Sequence, residues 1–145
     1  MRALPLLILV ATALPPVHAQ TAADSADIRE TAMNYMMGWY TGDPDRMGRA
    51  LHPDLVKRIV NTDSTGASRL STMGADRLIE GTRRGFGKET PADQRQAETA
   101  ILDIFGNTAS VRATMRSWID YMQMAKWNGR WVIVNVLWEM KPGQQ

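Results

Sequence analysis

Asp120 is the residue best placed to do chemistry. It stands in Trp118-Ile119-Asp120-Tyr121-Met122-Gln123-Met124, a run of aromatic and apolar residues in which it is the only charge. On an extended strand, alternate side chains share a face, so Asp120 would sit with Trp118, Met122 and Met124. A carboxyl in such company is desolvated, which favours its protonated form and equips it to give a proton or hydrogen bond near neutrality. The simpler alternative is a carboxylate bonded to backbone or to Arg116. Tyr35 and Trp39 lie one helical turn apart and would share a helix face, either packing in the core or lining a cavity, where the Tyr35 hydroxyl needs a partner. His52 precedes Pro53 and could serve as a general base or ligand contact, or cap a helix end through a free carbonyl. Lys57 and Arg58 are expected to face solvent, with one of them available to an anionic group at a cavity mouth.

The element that must position Asp120 is a C-terminal hairpin. Trp118 to Trp127 and Arg130 to Met140 are rich in β-branched and aromatic residues, and Asn128-Gly129 between them suits a tight turn with positive φ. Two registers compete. A two-residue turn pairs Trp127 with Arg130 and sets Asp120 opposite Leu137. A three-residue turn with Gly129 in a bulge pairs Lys126 with Arg130 and sets Asp120 opposite Val136. The second gives one apolar face, Trp118, Asp120, Met122, Met124, Val132, Val134, Val136 and Trp138, and a mixed face of Tyr121, Gln123, Trp131, Ile133, Asn135, Leu137 and Glu139. Because a one-residue slip inverts a strand's faces, this cleaner segregation favours the bulged register. The candidate ligand-lining set is then Tyr35, Trp39, His52, Trp118, Asp120, Met122, Val136 and Trp138, and the candidate catalytic set is Asp120 with His52 or Tyr35 assisting.

Upstream, Asp24 or Ser25 is expected to cap a helix running to Tyr40 and stopped by Gly42, with Ile28, Ala32, Tyr35 and Trp39 along one stripe. Asp43-Pro44 restarts a helix that carries Met47, Ala50 and Leu51 inward and ends by His52. Asp54 to Val60 is a last helical turn or the start of a strand. Asn61 to Ser71 reads as a polar loop, and a third helix is predicted from Ser71 or Thr72 to Arg84, burying Met73, Leu78 and Ile79, with a loop over Lys88 to Asp93. From Arg95 onward the pattern is strand, with a bend near Ser117 because Thr108 to Trp127 is too long for one strand. Three helices followed by antiparallel strands is an α+β pattern, in which a strongly curved sheet wraps the helices as a cone with a partly hollow interior.

The first residues bound the compartment. Met1-Arg2, the apolar run Leu4 to Leu14 and Val17-His18-Ala19 have the form of a secretory signal peptide over 1–19, cut before Gln20. The remaining 126 residues suffice for a single domain over 20–145, and loss of Arg2 lowers the formal charge from +2 to +1. This near-neutral chain gives no basis for nucleic-acid binding. No cysteine is present, and His52 is the only histidine besides His18, so thiolate and zinc-type sites are excluded and no metal or cofactor is expected. A periplasmic or secreted bacterial protein, not membrane-bound after cleavage, is the expected setting.

Gly42-Asp43-Pro44, Leu51-His52-Pro53-Asp54-Leu55-Val56-Lys57-Arg58, Asp120-Tyr121-Met122-Gln123-Met124 and Asn128-Gly129-Arg130-Trp131-Val132-Ile133-Val134-Asn135 resemble the Putative lumazine-binding family, of the nuclear transport factor 2-like (SnoaL-like) superfamily. The resemblance runs from Asp27 to Lys141. It implies a cone-shaped fold, often dimeric through its sheet, and a pteridine-like ligand. The superfamily includes isomerases, dehydratases, epoxide hydrolases, polyketide cyclases and members without catalysis. Similarity to the ketosteroid-isomerase branch would make Tyr35 and Asp120 oxyanion-hole residues, but Arg58, Ile59 and Val60 stand where that branch carries its proton-abstracting aspartate. Three functions follow as expectations: an exported binder of a small planar aromatic ligand in an aromatic, methionine-rich pocket, an isomerase, dehydratase or hydrolase using Asp120 as acid, and a homodimeric interaction module using Tyr121, Ile133 and Leu137.

Overall fold

The computed structural model describes residues 22–143, so the expected signal peptide lies outside the described residues. Helix α1 (Ala22–Thr41) and helix α2 (Pro44–Ala50) lead into β1 (Leu51–Thr62), β2 (Ser68–Gly74) and helix α3 (Ala75–Arg83). Two 3-10 turns, Phe86–Glu89 and Ala92–Gln94, precede β3 (Ala97–Phe105), β4 (Thr108–Met115), β5 (Trp118–Trp127) and β6 (Arg130–Met140). The strands form one six-stranded sheet in the order β2-β1-β6-β5-β4-β3. The sheet is curved and unclosed, and the helices fill its hollow, giving the α+β cone. All ladders are antiparallel except β1 with β6, which run parallel because α2 delivers β1 alongside β6 in the same direction.

Local chemistry accounts for most element boundaries. Asp43 caps α2, its Oδ1 accepting from the Arg46 N–H at 2.9 Å with Pro44 at the first helical position. Helix α1 begins ahead of its expected cap, and Asp24 serves instead as a tie to the sheet, its Oδ1 accepting from Lys126 Nζ at 2.8 Å and Trp131 Nε1 at 2.9 Å. The bend near Ser117 has no glycine or proline because Tyr40 makes it: the Arg116 N–H donates to Tyr40 Oη, which donates to the Gln96 carbonyl, each at 2.9 Å.

The third helix begins later than the sequence predicts. Ser71 to Gly74 is strand, paired to β1 with Ser71 opposite Ile59 and Met73 opposite Lys57. The polar loop shrinks to the turn around Asp63, whose Oδ1 accepts from the Thr65 and Ala67 N–H groups. An exposed edge strand built from Ser68-Arg69-Leu70-Ser71-Thr72 lacks the apolar alternation that announces a half-buried strand.

The β5–β6 hairpin follows neither predicted register throughout. Its turn is the two-residue form, with Asn128 at φ 49° and Gly129 at φ 78° and Trp127 paired to Arg130. A bulge then falls within the strands: Met124 pairs with Ile133 but Gln123 pairs with Asn135, leaving Val134 unopposed. Asp120 therefore faces Trp138, not Val136 or Leu137. The bulge reverses the facing of β6 midway, so Trp131 and Ile133 point inward near the turn while Val136 and Trp138 point inward beyond it. The expected inner set is corrected accordingly: Ile133 belongs to the core, and Val134 to the outer face.

Candidate functional site

Tyr35 on α1, Lys57 on β1 and Asp120 on β5 converge beneath the curved sheet. Lys57 turns inward because β1 alternates Leu55, Lys57 and Ile59 toward the helices. The expectation that Lys57 faces solvent is thereby overturned: it is 5% exposed, and Asp120 is 0% exposed. Lys57 Nζ donates to Asp120 Oδ1 at 2.5 Å and to Tyr35 Oη at 2.6 Å. Asp120 Oδ2 accepts from Tyr35 Oη at 3.2 Å and from Trp118 Nε1 at 2.9 Å. Both carboxylate oxygens thus accept, from three donors, which suits an ionised Asp120 matched by a charged Lys57.

Burial pushes the Lys57 ammonium below the ordinary lysine range, opposed by the attraction and hydrogen bond of Asp120. Burial also raises the Tyr35 hydroxyl well above the usual tyrosine value, and the neighbouring negative charge and hydrogen bond of Asp120 add to that rise. The phenol therefore remains a donor across the physiological range. Lys57 Nζ further lies 4.8 Å from the Trp138 ring centroid, 5.4 Å from Tyr35 and 5.8 Å from Trp118, within cation–π reach of each.

A cavity of about 290 Å³ opens beside this trio. Its walls are Trp39, Trp118, Trp138, Met73, Leu78 and Met140, with Ser117 at the rim and Tyr35 and Lys57 at the floor. The indoles meet edge to face, Trp39 with Trp118 at 6.0 Å and Trp118 with Trp138 at 6.1 Å between centroids. Gly87 fixes the position of Trp39, since a Cβ there would stand 2.2 Å from the Trp39 carbonyl oxygen. Asp120 does not line the cavity. It sits behind Lys57, Tyr35 and Trp118, which all donate to it and line the cavity, and reaches any occupant through them.

The predicted site residues divide into two groups. Tyr35, Trp39, Trp118 and Trp138 come together at the cavity, with Asp120 behind its floor. Met122 and Val136, paired opposite each other, are buried in the core and do not line the cavity. His52 lies apart from it. Its Nδ1 accepts from the Asp54 N–H at 3.1 Å, and its ring meets the edge of Trp127 at 4.8 Å. Even-numbered β1 positions point away from the helices, which removes His52 from any role beside Asp120. Lys57, Met73, Leu78, Ser117 and Met140 line the cavity but stand outside the candidate set read from sequence. The alternation Leu55-Lys57-Ile59 would have found Lys57, had β1 been recognised as a strand. Among the described residues no group of three or more side chains is arranged to hold a metal ion, and no helix is long and apolar enough to cross a membrane.

Comparison with known proteins bears on residues 23–139. The profile described as Putative lumazine-binding matches residues 23–139. No curated protein matches the chain. Among solved structures, an NTF2-like protein of unknown function from Shewanella baltica OS155 superposes with TM-score 0.69 at 20% identity, covering 87% of this chain and 100% of its own. An NTF2-like protein of unknown function from Methylobacillus flagellatus KT gives 0.62 at 23%, covering 85% and 96%. A ketosteroid isomerase-like protein from Erwinia carotovora atroseptica SCRI1043 gives 0.57 at 16%, covering 83% and 98%. At these identities the likeness establishes the fold alone.

Proposed function

Because this chain belongs to the Putative lumazine-binding family and carries the NTF2-like fold, we propose that it is an exported small-molecule-binding domain whose planar ligand occupies the tryptophan-walled cavity over Lys57. The observation that carries this reading is the cavity itself: apolar walls of indole and thioether groups, with a few polar donors converging on its floor. That combination characterises ligand sites, where apolar surface supplies affinity and a small number of polar groups fix orientation. At about 290 Å³ the cavity stands at the small end of the ~300–1,000 Å³ common for such sites, which suits one or two fused rings rather than a dinucleotide. A lumazine-sized pteridine meets that limit, and methionines Met73 and Met140 supply an adaptable lining. Titration of lumazine and simple flavins against intrinsic tryptophan fluorescence is expected to give saturable quenching. A flat response across a broad panel of planar heterocycles would refute the reading. Export is tested by the mass of the mature protein, expected to begin at Gln20.

Catalysis in the same cavity is a second reading, favoured by the depressed Lys57 ammonium and the Tyr35 hydroxyl at its floor, which could exchange a proton with a bound molecule. In that case Asp120 is a positioning residue for both and not the acid that meets substrate. Assembly as a homodimer through the outer sheet face is supported by Tyr121 and Leu137, which pair directly across β5 and β6 and stand 47% and 52% exposed.

A further inference from the structure

A second hollow, of about 350 Å³, adjoins the aromatic cavity: Lys57, Met73 and Trp138 line both. Its remaining walls are more polar, with Ser71 and Thr72 from β2 and Arg77 from α3 beside Ile59 from β1. Arg77 has neither an ion-pair nor a hydrogen-bond partner among the described residues. Asp76, its acidic neighbour, lines neither hollow. Lys57, by contrast, is matched by Asp120 within the protein. The aromatic cavity is therefore electrically balanced, and Arg77 is the uncompensated cation of the adjoining hollow. Ser71 Oγ accepts from Asn61 Nδ2 at 2.8 Å, which leaves its own O–H as a donor.

We infer that the ligand is a planar aromatic molecule bearing an anionic substituent, its ring in the tryptophan-walled cavity and its carboxylate or phosphate in the adjoining hollow against Arg77. This rests on the small-molecule-binding reading above and adds the chemical class. An unpaired surface arginine is ordinary by itself. Arg77 differs in lining a hollow that shares Lys57, Met73 and Trp138 with an aromatic cavity, where a guanidinium fork and the Ser71 hydroxyl donor suit an oxyanion. A neutral ring system would fill the first hollow and leave the donors of the second to water. An anion bound directly at Lys57 would instead add an unmatched negative charge beside buried Asp120, which low-dielectric surroundings oppose.

Calorimetric titration of 2-naphthylacetate and the neutral 2-naphthylacetamide into the mature protein separates the possibilities. The carboxylate is expected to bind about tenfold more tightly than the amide. That preference should collapse in Arg77→Gln and shrink at high salt, where partly exposed charges are screened. Arg77 is exposed, so the variant is expected to fold, and Arg112→Gln on the outer sheet face should keep the full preference. Equal affinity for both compounds overturns the anionic inference while leaving small-molecule binding in place. Preference that survives Arg77→Gln also overturns it, by assigning the anion to Lys57. Failure of both compounds and of the planar heterocycles to bind overturns the cavity reading as well.

Discussion

Replacing Lys57 by methionine tests whether the buried Lys57–Asp120 pair organises the site. Methionine preserves most of the lysine stem and removes the ammonium, so Asp120 loses the donor at Oδ1 while Tyr35 and Trp118 still donate to Oδ2. Breaking a buried ion pair by removing one partner costs about 3–5 kcal/mol, because the remaining charge is left uncompensated. With two donors retained, the lower end, about 3 kcal/mol, is expected here. Small domains unfold in urea with a slope of about 1–3 kcal/mol per molar, so the midpoint should fall by roughly 1.5 M. In Asp120→Asn, an amide oxygen at the Oδ2 position keeps both neutral donors, but the amide nitrogen then faces the Lys57 ammonium, and a comparable loss is expected. Combining the two substitutions removes both charges and relieves that clash. The double variant should therefore be more stable than the sum of the single losses predicts, with a coupling of about 2 kcal/mol. Urea unfolding followed by tryptophan fluorescence measures all three. Single shifts below about 0.3 M, or strictly additive losses, would refute the reasoning that the pair is buried and mutually dependent.

Other expectations follow from the same geometry. Tyr35 and Tyr40 keep their protons to higher pH when folded than the ordinary tyrosine value of 10.0. The folded state therefore binds more protons than the unfolded state above that pH, and stability falls as pH rises through it. Tyr35→Phe should lessen this alkaline slope by up to about 1.4 kcal/mol per pH unit, read from urea midpoints measured between neutral and strongly alkaline pH. Gly87→Ala brings a methyl group against the Trp39 carbonyl and should destabilise the fold by about 1–3 kcal/mol while altering ligand-induced quenching, a change checked by thermal unfolding and fluorescence titration. Leu137→Glu on the outer sheet face should convert a dimer to a monomer in sedimentation velocity, with the far-ultraviolet spectrum unchanged. A wild-type protein that is monomeric at high concentration would refute the dimer.

How far the site was legible varies residue by residue. Tyr35, Trp39, Trp118 and Trp138 were identifiable from spacing because a helix stripe and a strand alternation are local patterns. Lys57 is hidden because Asp54 to Val60 reads equally as a last helical turn or the start of a strand, and only strand alternation turns that lysine inward. His52 and Val136 entered the candidate set through position and an assumed register. The first points away from the helices on β1, and the second packs in the core. The bulge at Val134 escaped prediction because the three-residue-turn register already gives a face that is apolar apart from Asp120, so no local pattern signals a break within β6.

The helix stripes, the capped restart at Asp43-Pro44, the Asn128-Gly129 turn and the α+β class are written in short-range chemistry: side-chain period, capping oxygens and residues that tolerate positive φ. They were therefore available from the chain alone. Which strand borders which, and what the buried charge of Asp120 meets, depend on contacts between positions tens of residues apart, as in the 63-residue separation of Lys57 from Asp120. Only folding the sheet into a cone carries the β1 lysine under β5, and a carboxylate removed from water requires such a partner.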